Sequence, residues 1–320
     1  MNDLSELKRF IEHLHAKYRN DTSGEVATYI PELGKADPNR FGICVMSVEG
    51  QAVSVGDVET EFTIQSICKP LAFQMALETH GRERVLSHVG VEPSGDAFNS
   101  VELNPRNSRP FNPMINAGAI AVASLIKGQS PERGVAHFVE TLSRAAGRSL
   151  TIDSTVLESE AQTGHRNRAI AHLLRNSNVI DEHIDHTLHQ YFSQCSVLVN
   201  ARDLAAIGAT MANTGEHPMS REEVFGFRFI RDTLAVMFAC GMYDFAGEWT
   251  YQVGVPAKSG VSGGVMAVIN RQLGIAVYSP RLDERGNSVR GIKVCAELAE
   301  EFGLHAFDVM NFGSNFVQAL

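Results

Sequence analysis

Ser66-Ile67-Cys68-Lys69 is the place in this sequence where residue type and spacing best suit covalent chemistry. A serine hydroxyl is a weak nucleophile at its ordinary pKa and needs a base beside it. A lysine three residues on shares a face with the serine if the two lie on one helical turn. That lysine becomes a base once burial or a neighbouring cation lowers its pKa. The strand-like Phe62-Thr63-Ile64 precedes Ser66, and a helical pattern follows Lys69. The serine is therefore expected at a helix N-terminus, where free backbone N–H groups and the helix dipole can hold an oxyanion. Pro70 favours a helix start here, since proline is tolerated in the first turn. It also biases Lys69 away from helical angles, so the boundary is ambiguous. Taken alone, the pattern is common, and a surface Ser and Lys beside a helix start is the alternative reading.

A second element raises the weight of the first. Lys258-Ser259-Gly260 precedes the β-rich Gly264–Asn270. It resembles the Lys-Thr/Ser-Gly strand of penicillin-recognising serine acyltransferases, and it follows Ser66 in the order and at the separation of that superfamily.

These motifs need elements to hold them. Apolar residues at Leu4, Leu7, Phe10, Ile11, Leu14 and Tyr18 have helix spacing. Gly42–Val48 and Gln51–Gly56 flank the Glu49-Gly50 turn as a hairpin. Helices are expected over Leu71–His80, Asn116–Ile126, Pro131–Ala145, Ser154–Thr163, Asn167–Asn176, Asp181–Ser193 and Ala201–Asn213, with a loop from Asn104 to Pro113. Strands return at Gly264–Asn270 and Leu273–Ser279, and an amphipathic helix follows over Val289–Phe302. The expected fold class is α+β: an antiparallel sheet built from both chain ends, flanked by helices, with a mostly helical insert. That is the plan of the serine β-lactamase and transpeptidase folds. We expect one catalytic unit over residues 1–320, with a sheet-bearing part (1–65 and 220–320) and a mostly helical part (66–219).

Longer stretches are more specific. They are Tyr29-Ile30-Pro31-Glu32-Leu33, Phe62-Thr63-Ile64-Gln65-Ser66 with Lys69, Asn112-Pro113-Met114-Ile115-Asn116-Ala117-Gly118, Glu160 with Asn167, Tyr191-Phe192, Gly241-Met242-Tyr243, and Pro256 through Gly264. In this order, from Tyr29 to about Lys293, the chain resembles the serine-dependent, bacterial-type glutaminases. The resemblance implies hydrolysis of the side-chain amide of L-glutamine, an amidohydrolase reaction giving L-glutamate and ammonia through a glutamyl-serine intermediate. It implies that Ser66 attacks the amide and Lys69 takes its proton, with Tyr243 and Lys258 completing the catalytic set. The backbone N–H groups of Ser66 and Val261 would form the oxyanion hole, and glycines at 260, 263 and 264 would allow close approach. Glu160 would meet the α-ammonium, while Asn116, Asn167 and Tyr191 would contact the α-carboxylate and ammonium. Tyr29 would close the pocket, and Tyr243 would move protons near Ser66. A homodimer or homotetramer, no metal and no organic cofactor are implied too.

Each residue has a structural alternative. Glu160 could lie on a solvated helix face beside Glu158. Asn116 and Asn167 could be helix caps. The tyrosines could be core-edge aromatics, and Lys258 and Ser259 could be surface and turn residues. Another serine acyltransferase of the β-lactamase or penicillin-binding type, or a non-catalytic relative of the fold, are the rival functions; no clear Ser-x-Asn element supports the former.

Other signals are discounted. His183, His186 and His189 repeat every three residues beside Asp181, Glu182 and Asp185, without the usual i, i+4 metal pair. Cys68 is read as packing rather than as a nucleophile, and Gly260-x-x-Gly263-Gly264 lacks the lysine of a phosphate loop.

The 320 residues, 44% of them hydrophobic, are enough for a sizeable core. A net charge of -9 disfavours nucleic acid. Without a basic-then-apolar leader or an 18-residue apolar run, a signal peptide and a membrane span are not expected. Five widely spaced cysteines fit reduced thiols and a cytoplasmic setting.

Overall fold

The structure is a computed structural model that describes residues 4–308 apart from positions 96 and 129. The chain begins with α1 (Ser5–Tyr18), β1 (Gly42–Ser47), β2 (Ala52–Gly56) and β3 (Phe62–Thr63). The helical block is α2 (Cys68–Leu86), α3 (Asn116–Ile126), α4 (Pro131–Ala146), α5 (Ser154–Thr163), α6 (His165–Asn176) and α7 (Ile184–Cys195). There follow β4 (Leu198–Val199), α8 (Ala201–Ala212), α9 (Phe227–Cys240), α10 (Ala246–Gln252), β5 (Ala257–Ser259), β6 (Gly264–Ile269), β7 (Leu273–Tyr278) and α11 (Val289–Glu301).

Five strands form one antiparallel sheet in the order β2-β1-β7-β6-β5. The α+β architecture expected from the sequence is present. The centre of the sheet joins the two ends of the chain: β1 pairs with β7 in the register Gly42↔Tyr278 to Ser47↔Leu273. Strand alternation sorts the side chains onto two faces. Ile43, Val45, Val265, Ala267, Ile275 and Val277 pack with Ile11 and Leu14 of α1 and with Val294 and Leu298 of α11. Cys44, Met46, Met266, Val268 and Ala276 face the opposite core, which contains α8 and the helical block. Helix α8 lies so close to β7 that a Cβ on Gly274 would collide with the backbone of Ala205 and Ala209. Only glycine permits that approach.

Some boundaries differ from the expectation. The segment 181–183 is not helical, because Asp181 accepts from the His183 N–H at 3.0 Å and pairs with Lys127 at 2.5 Å. Helix α6 begins at His165, so Asn167 lies inside its first turn rather than capping it. Helices α9 and α10 occupy a region where the sequence reading placed no helix. Pro70 sits in the first turn of α2, and Lys69 before it is helical. The first N–H groups of a helix have no intrahelical acceptor, so proline removes nothing there. Among the described residues no helix is long and apolar enough to cross a membrane.

Candidate active site

Ser66 is positioned by a short β-ladder. Phe62 pairs with Val199, Thr63 pairs with Leu198, and the Ile64 N–H donates to Val197 O at 2.8 Å. The chain then turns sharply. Gln65 takes a left-handed conformation (φ 49°) and opens a 3-10 turn, Gln65–Ile67, that runs into α2. A left-handed backbone at a non-glycine residue costs about 1–3 kcal/mol and persists where the surroundings hold it. Here the Gln65 side chain is buried, and its Nε2 donates to Glu160 Oε1 at 2.8 Å and to Thr63 Oγ1 at 3.3 Å. The twist presents Ser66 at the start of the helix, with its side chain at the floor of a cavity of about 270 Å³.

Lys69 is 1% exposed and sits three residues on, as the spacing predicts. Its Nζ donates to Asn116 Oδ1 at 2.7 Å and to Met114 O at 3.3 Å, both neutral acceptors. Burial lowers its pKa to about 8, against the opposing pull of nearby acidic groups. The amine is thus substantially neutral in mildly alkaline water. Asn116 opens α3 and is held by its own N–H bond to Phe98 O at 2.8 Å; Ile115 is the residue in the cap position. The Asn116 Nδ2 donates to Asn167 Oδ1 at 2.9 Å. One amide thereby links the lysine to the far wall of the cavity.

Tyr243 also has a left-handed backbone, φ 58°. Its hydroxyl donates to Ser259 O at 3.0 Å and shares a hydrogen bond with the Ser66 side chain. With its one hydrogen on Ser259 O, the tyrosine oxygen accepts from Ser66. Burial pushes the Tyr243 hydroxyl above its ordinary value. Lys258 lies behind it on β5, fully buried, with Nζ 2.7 Å from Ser259 O and 4.0 Å from the Tyr243 ring centroid. Burial and then the like charge of Lys69 drive its pKa well down.

Between β5 and β6 the chain turns tightly. Gly260 N–H donates to Gly264 O and Gly263 N–H to Gly260 O, each at 2.9 Å. Gly263 has φ +98°, and a Cβ there would collide with Ser279 and Pro280. Val261, at the tip, packs with Ile30, Tyr243 and Leu282. Among the described residues no backbone acceptor engages the N–H of Ser66 or of Val261.

The cavity gathers most of the predicted residues: Tyr29, Ser66, Asn116, Glu160, Asn167 and Tyr191 all line it. Tyr29 is 56% exposed and stands at the mouth. Lys69, Tyr243, Lys258 and Val261 do not line it: Lys69 and Tyr243 lie behind Ser66 and Asn116, Lys258 backs Tyr243, and Val261 borders the adjoining groove that also reaches Tyr29 and Phe98. Glu160 is buried on α5, not on a solvated face. Burial raises its pKa to about 7, while the Gln65 hydrogen bond and the Lys69 charge hold it down. Gln65, Phe98 and Arg166 also line the cavity and were given no role from the sequence. The buried Glu160–Gln65 pair has one faint sequence signal, since Glu160 lies four residues after the apolar Val156, on the same helix face.

A buried serine hydroxyl and a buried carboxylate lining one small cavity, with a buried amine of lowered pKa three residues from the serine, suit acyl transfer from an amino-acid amide. A family model described as Glutaminase matches residues 24–307. A Glutaminase of Nostoc sp. is 52% identical over 310 residues, covering 97% of this chain and 93% of that one. Among solved structures, Mglu in its glutamate form has a TM-score of 0.91 at 42% identity, covering 96% of this chain and 71% of that chain. The probable glutaminase from Bacillus subtilis, complexed with 6-diazo-5-oxo-L-norleucine, has a TM-score of 0.84 at 36% identity, covering 96% and 98%. With the family model spanning most of its length and a relative this similar along nearly all of it, the chain belongs to the glutaminase family.

Proposed function

We propose that the cavity binds L-glutamine with its side-chain amide at Ser66, and that the chain hydrolyses it to L-glutamate and ammonia through a glutamyl-serine ester. The observation that carries this reading is Glu160. A buried carboxylate whose hydrogen-bond partner is a neutral amide, in the same cavity as the nucleophile, is suited to an incoming ammonium. Asn116, Asn167 and Tyr191 complete the contacts to the α-ammonium and α-carboxylate, and Tyr29 covers the bound amino acid.

In acylation, neutral Lys69 takes the Ser66 proton as Oγ bonds to the amide carbon. The N–H groups of Ser66 and Val261 receive the oxyanion. Collapse breaks the C–N bond, and Tyr243 passes a proton to the leaving nitrogen, which departs as ammonia. In deacylation, a water attacks the ester, gives up its proton along the same route, and returns Ser66 to its free form. Lys258 is the catalytic-set member behind this route: its contact with Ser259 O and the Tyr243 ring holds the phenol in place. Tyr29 comes from residues 1–65, Tyr243, Lys258 and Val261 from 220–320, and the rest from 66–219. That distribution supports one catalytic unit made of both parts. The family resemblance further supports a cytoplasmic homodimer or homotetramer.

The test is ammonia release from L-glutamine by the full chain. Turnover of nitrocefin without ammonia release would sink the proposal in favour of a β-lactamase-like activity. Replacing Glu160 by alanine should raise KM about 100-fold, since truncating one partner of a buried charge pair costs 2–5 kcal/mol or more. A large fall in kcat at unchanged KM would contradict the binding role.

The same site fixes the pH dependence. Glu160 must be ionised to pair with an ammonium, and its pKa is raised to about 7. Lys69 must be neutral to accept a proton, and its pKa is lowered to about 8. Both requirements fail as pH falls. Below about pH 7, kcat/KM should therefore drop more steeply than the tenfold per unit expected of one group. A profile that is flat from pH 6 to 9 would contradict both assignments.

A further inference from the structure

We propose that Cys68 and Cys195 form an oxidation site, a thiol pair that hydrogen peroxide converts to a disulfide with loss of activity. Their sulfurs are 3.9 Å apart, in contact within the buried core, although the residues are 127 positions apart in sequence. All five cysteines are free thiols, yet of these only Cys195 is among the residues that line the described cavity. A small oxidant that enters past Tyr29 therefore meets Cys195, with its partner immediately behind.

The placement explains why linkage would matter. Cys68 is the first residue of α2, two after Ser66 and directly before Lys69. Cys195 ends α7, one turn after Tyr191. A disulfide would tie the nucleophile's turn to the helix that carries one wall of the pocket. Its S–S length of about 2.05 Å is far shorter than the present separation. Side-chain rotation absorbs part of that closure, and the helix ends take the rest. A displacement of about 1 Å in a catalytic group costs on the order of 100-fold.

The chemistry balances. Cys195 sulfur attacks one peroxide oxygen, the O–O bond breaks, and the products are a sulfenic acid and water once the thiol proton has moved to the departing hydroxide. Cys68 sulfur then attacks the sulfenic sulfur, and the hydroxyl leaves as a second water with the Cys68 proton. Peroxide is reduced and two thiols are oxidised. The Cys68 hydrogen bond and then burial hold the Cys195 thiol well above its ordinary pKa, which makes the reaction slow and dependent on oxidant dose.

The effect on activity rests on the glutamine reading; the disulfide itself does not. The reduced full chain is treated with millimolar hydrogen peroxide, then analysed by non-reducing peptide mapping and by ammonia release. The expected result is a Cys68–Cys195 peptide lacking two hydrogens, a fall in rate of about tenfold or more, and recovery with dithiothreitol. Saturating L-glutamate should slow the linkage by filling the cavity. Cys68→Ser and Cys195→Ser should each form no link and resist reversible inactivation. The proposal is overturned if no such peptide forms, if the linked protein keeps full activity, or if Cys68→Ser is inactivated as fast and as reversibly as the wild type. The peptide map on the unsubstituted chain stands even if a variant fails to fold, and it separates this proposal from a failure of the glutamine reading.

Discussion

Ser66→Ala should release ammonia from L-glutamine at a rate at least about 10⁵-fold below the wild type, while L-glutamate still binds. The size follows from the chemistry: without Oγ no ester forms, and the oxyanion hole and lysine have no nucleophile to serve. The substitution removes one oxygen from a buried residue that contacts Tyr243, so the fold should survive. The measurement is a coupled ammonia assay with binding of L-glutamate followed separately. A variant that retained even a tenth of the wild-type rate would show that a different group, with Cys68 the nearest thiol in sequence, makes the covalent bond.

Lys69→Met should lower kcat by about 10³- to 10⁴-fold, the usual worth of a positioned general base. Methionine has a similar shape and needs no hydrogen bond, so it fills the space while leaving Asn116 Oδ1 without the 2.7 Å donor it has now. The more informative variant is Lys69→Arg. It keeps a cation but cannot become neutral near pH 8, so it should be as inactive as the methionine variant. If arginine restored activity, the lysine would be acting as a fixed charge rather than a base. The residual rate of either variant should also lose the limb of the pH profile centred near 8, leaving the one set by Glu160.

The parts of the site legible in the sequence are those in which two residues on one element define the geometry. Ser66 and Lys69 needed only the three-residue spacing. The Lys258–Gly260 strand and its glycine turn needed only their order. Glu160 was harder, because Glu158 and Glu160 are the same residue type two apart. Burial separates them: Glu158 is exposed and Glu160 is 4% exposed. Only the partner across the cavity decides which acid turns inward, and that partner, Gln65, is 95 residues away. The left-handed turn at Gln65 was likewise hidden, since nothing in a glutamine favours it and the hydrogen bonds that hold it are tertiary.

The fold divides in the same way. Hairpins with local turns and helices with clear apolar stripes could be read along the chain. Helix α9 was missed although its buried residues Ile230, Thr233, Leu234, Met237 and Cys240 recur at three and four. The buried Val236 and the additional apolar side chains Phe227, Phe229 and Phe238 blur that stripe. The first turn of α2 was ambiguous because two proline rules oppose each other at Lys69. The structure resolves the conflict in favour of the helix: Lys69 is helical, and in the first turn Pro70 forfeits no intrahelical hydrogen bond.

The pairing of β1 with β7 sets a timetable for the making of the enzyme. Ser66 and Lys69 are synthesised early, but β1 has no neighbour on its β7 side until residues 273–278 have left the ribosome. Tyr243 and the Lys258 strand also arrive late. A nascent chain stopped before Leu273 holds Ser66 and Lys69 without the centre of the sheet. Contacts that span so much of the chain form slowly. Activity should therefore appear in one late step, once β7 has emerged, rather than grow with chain length.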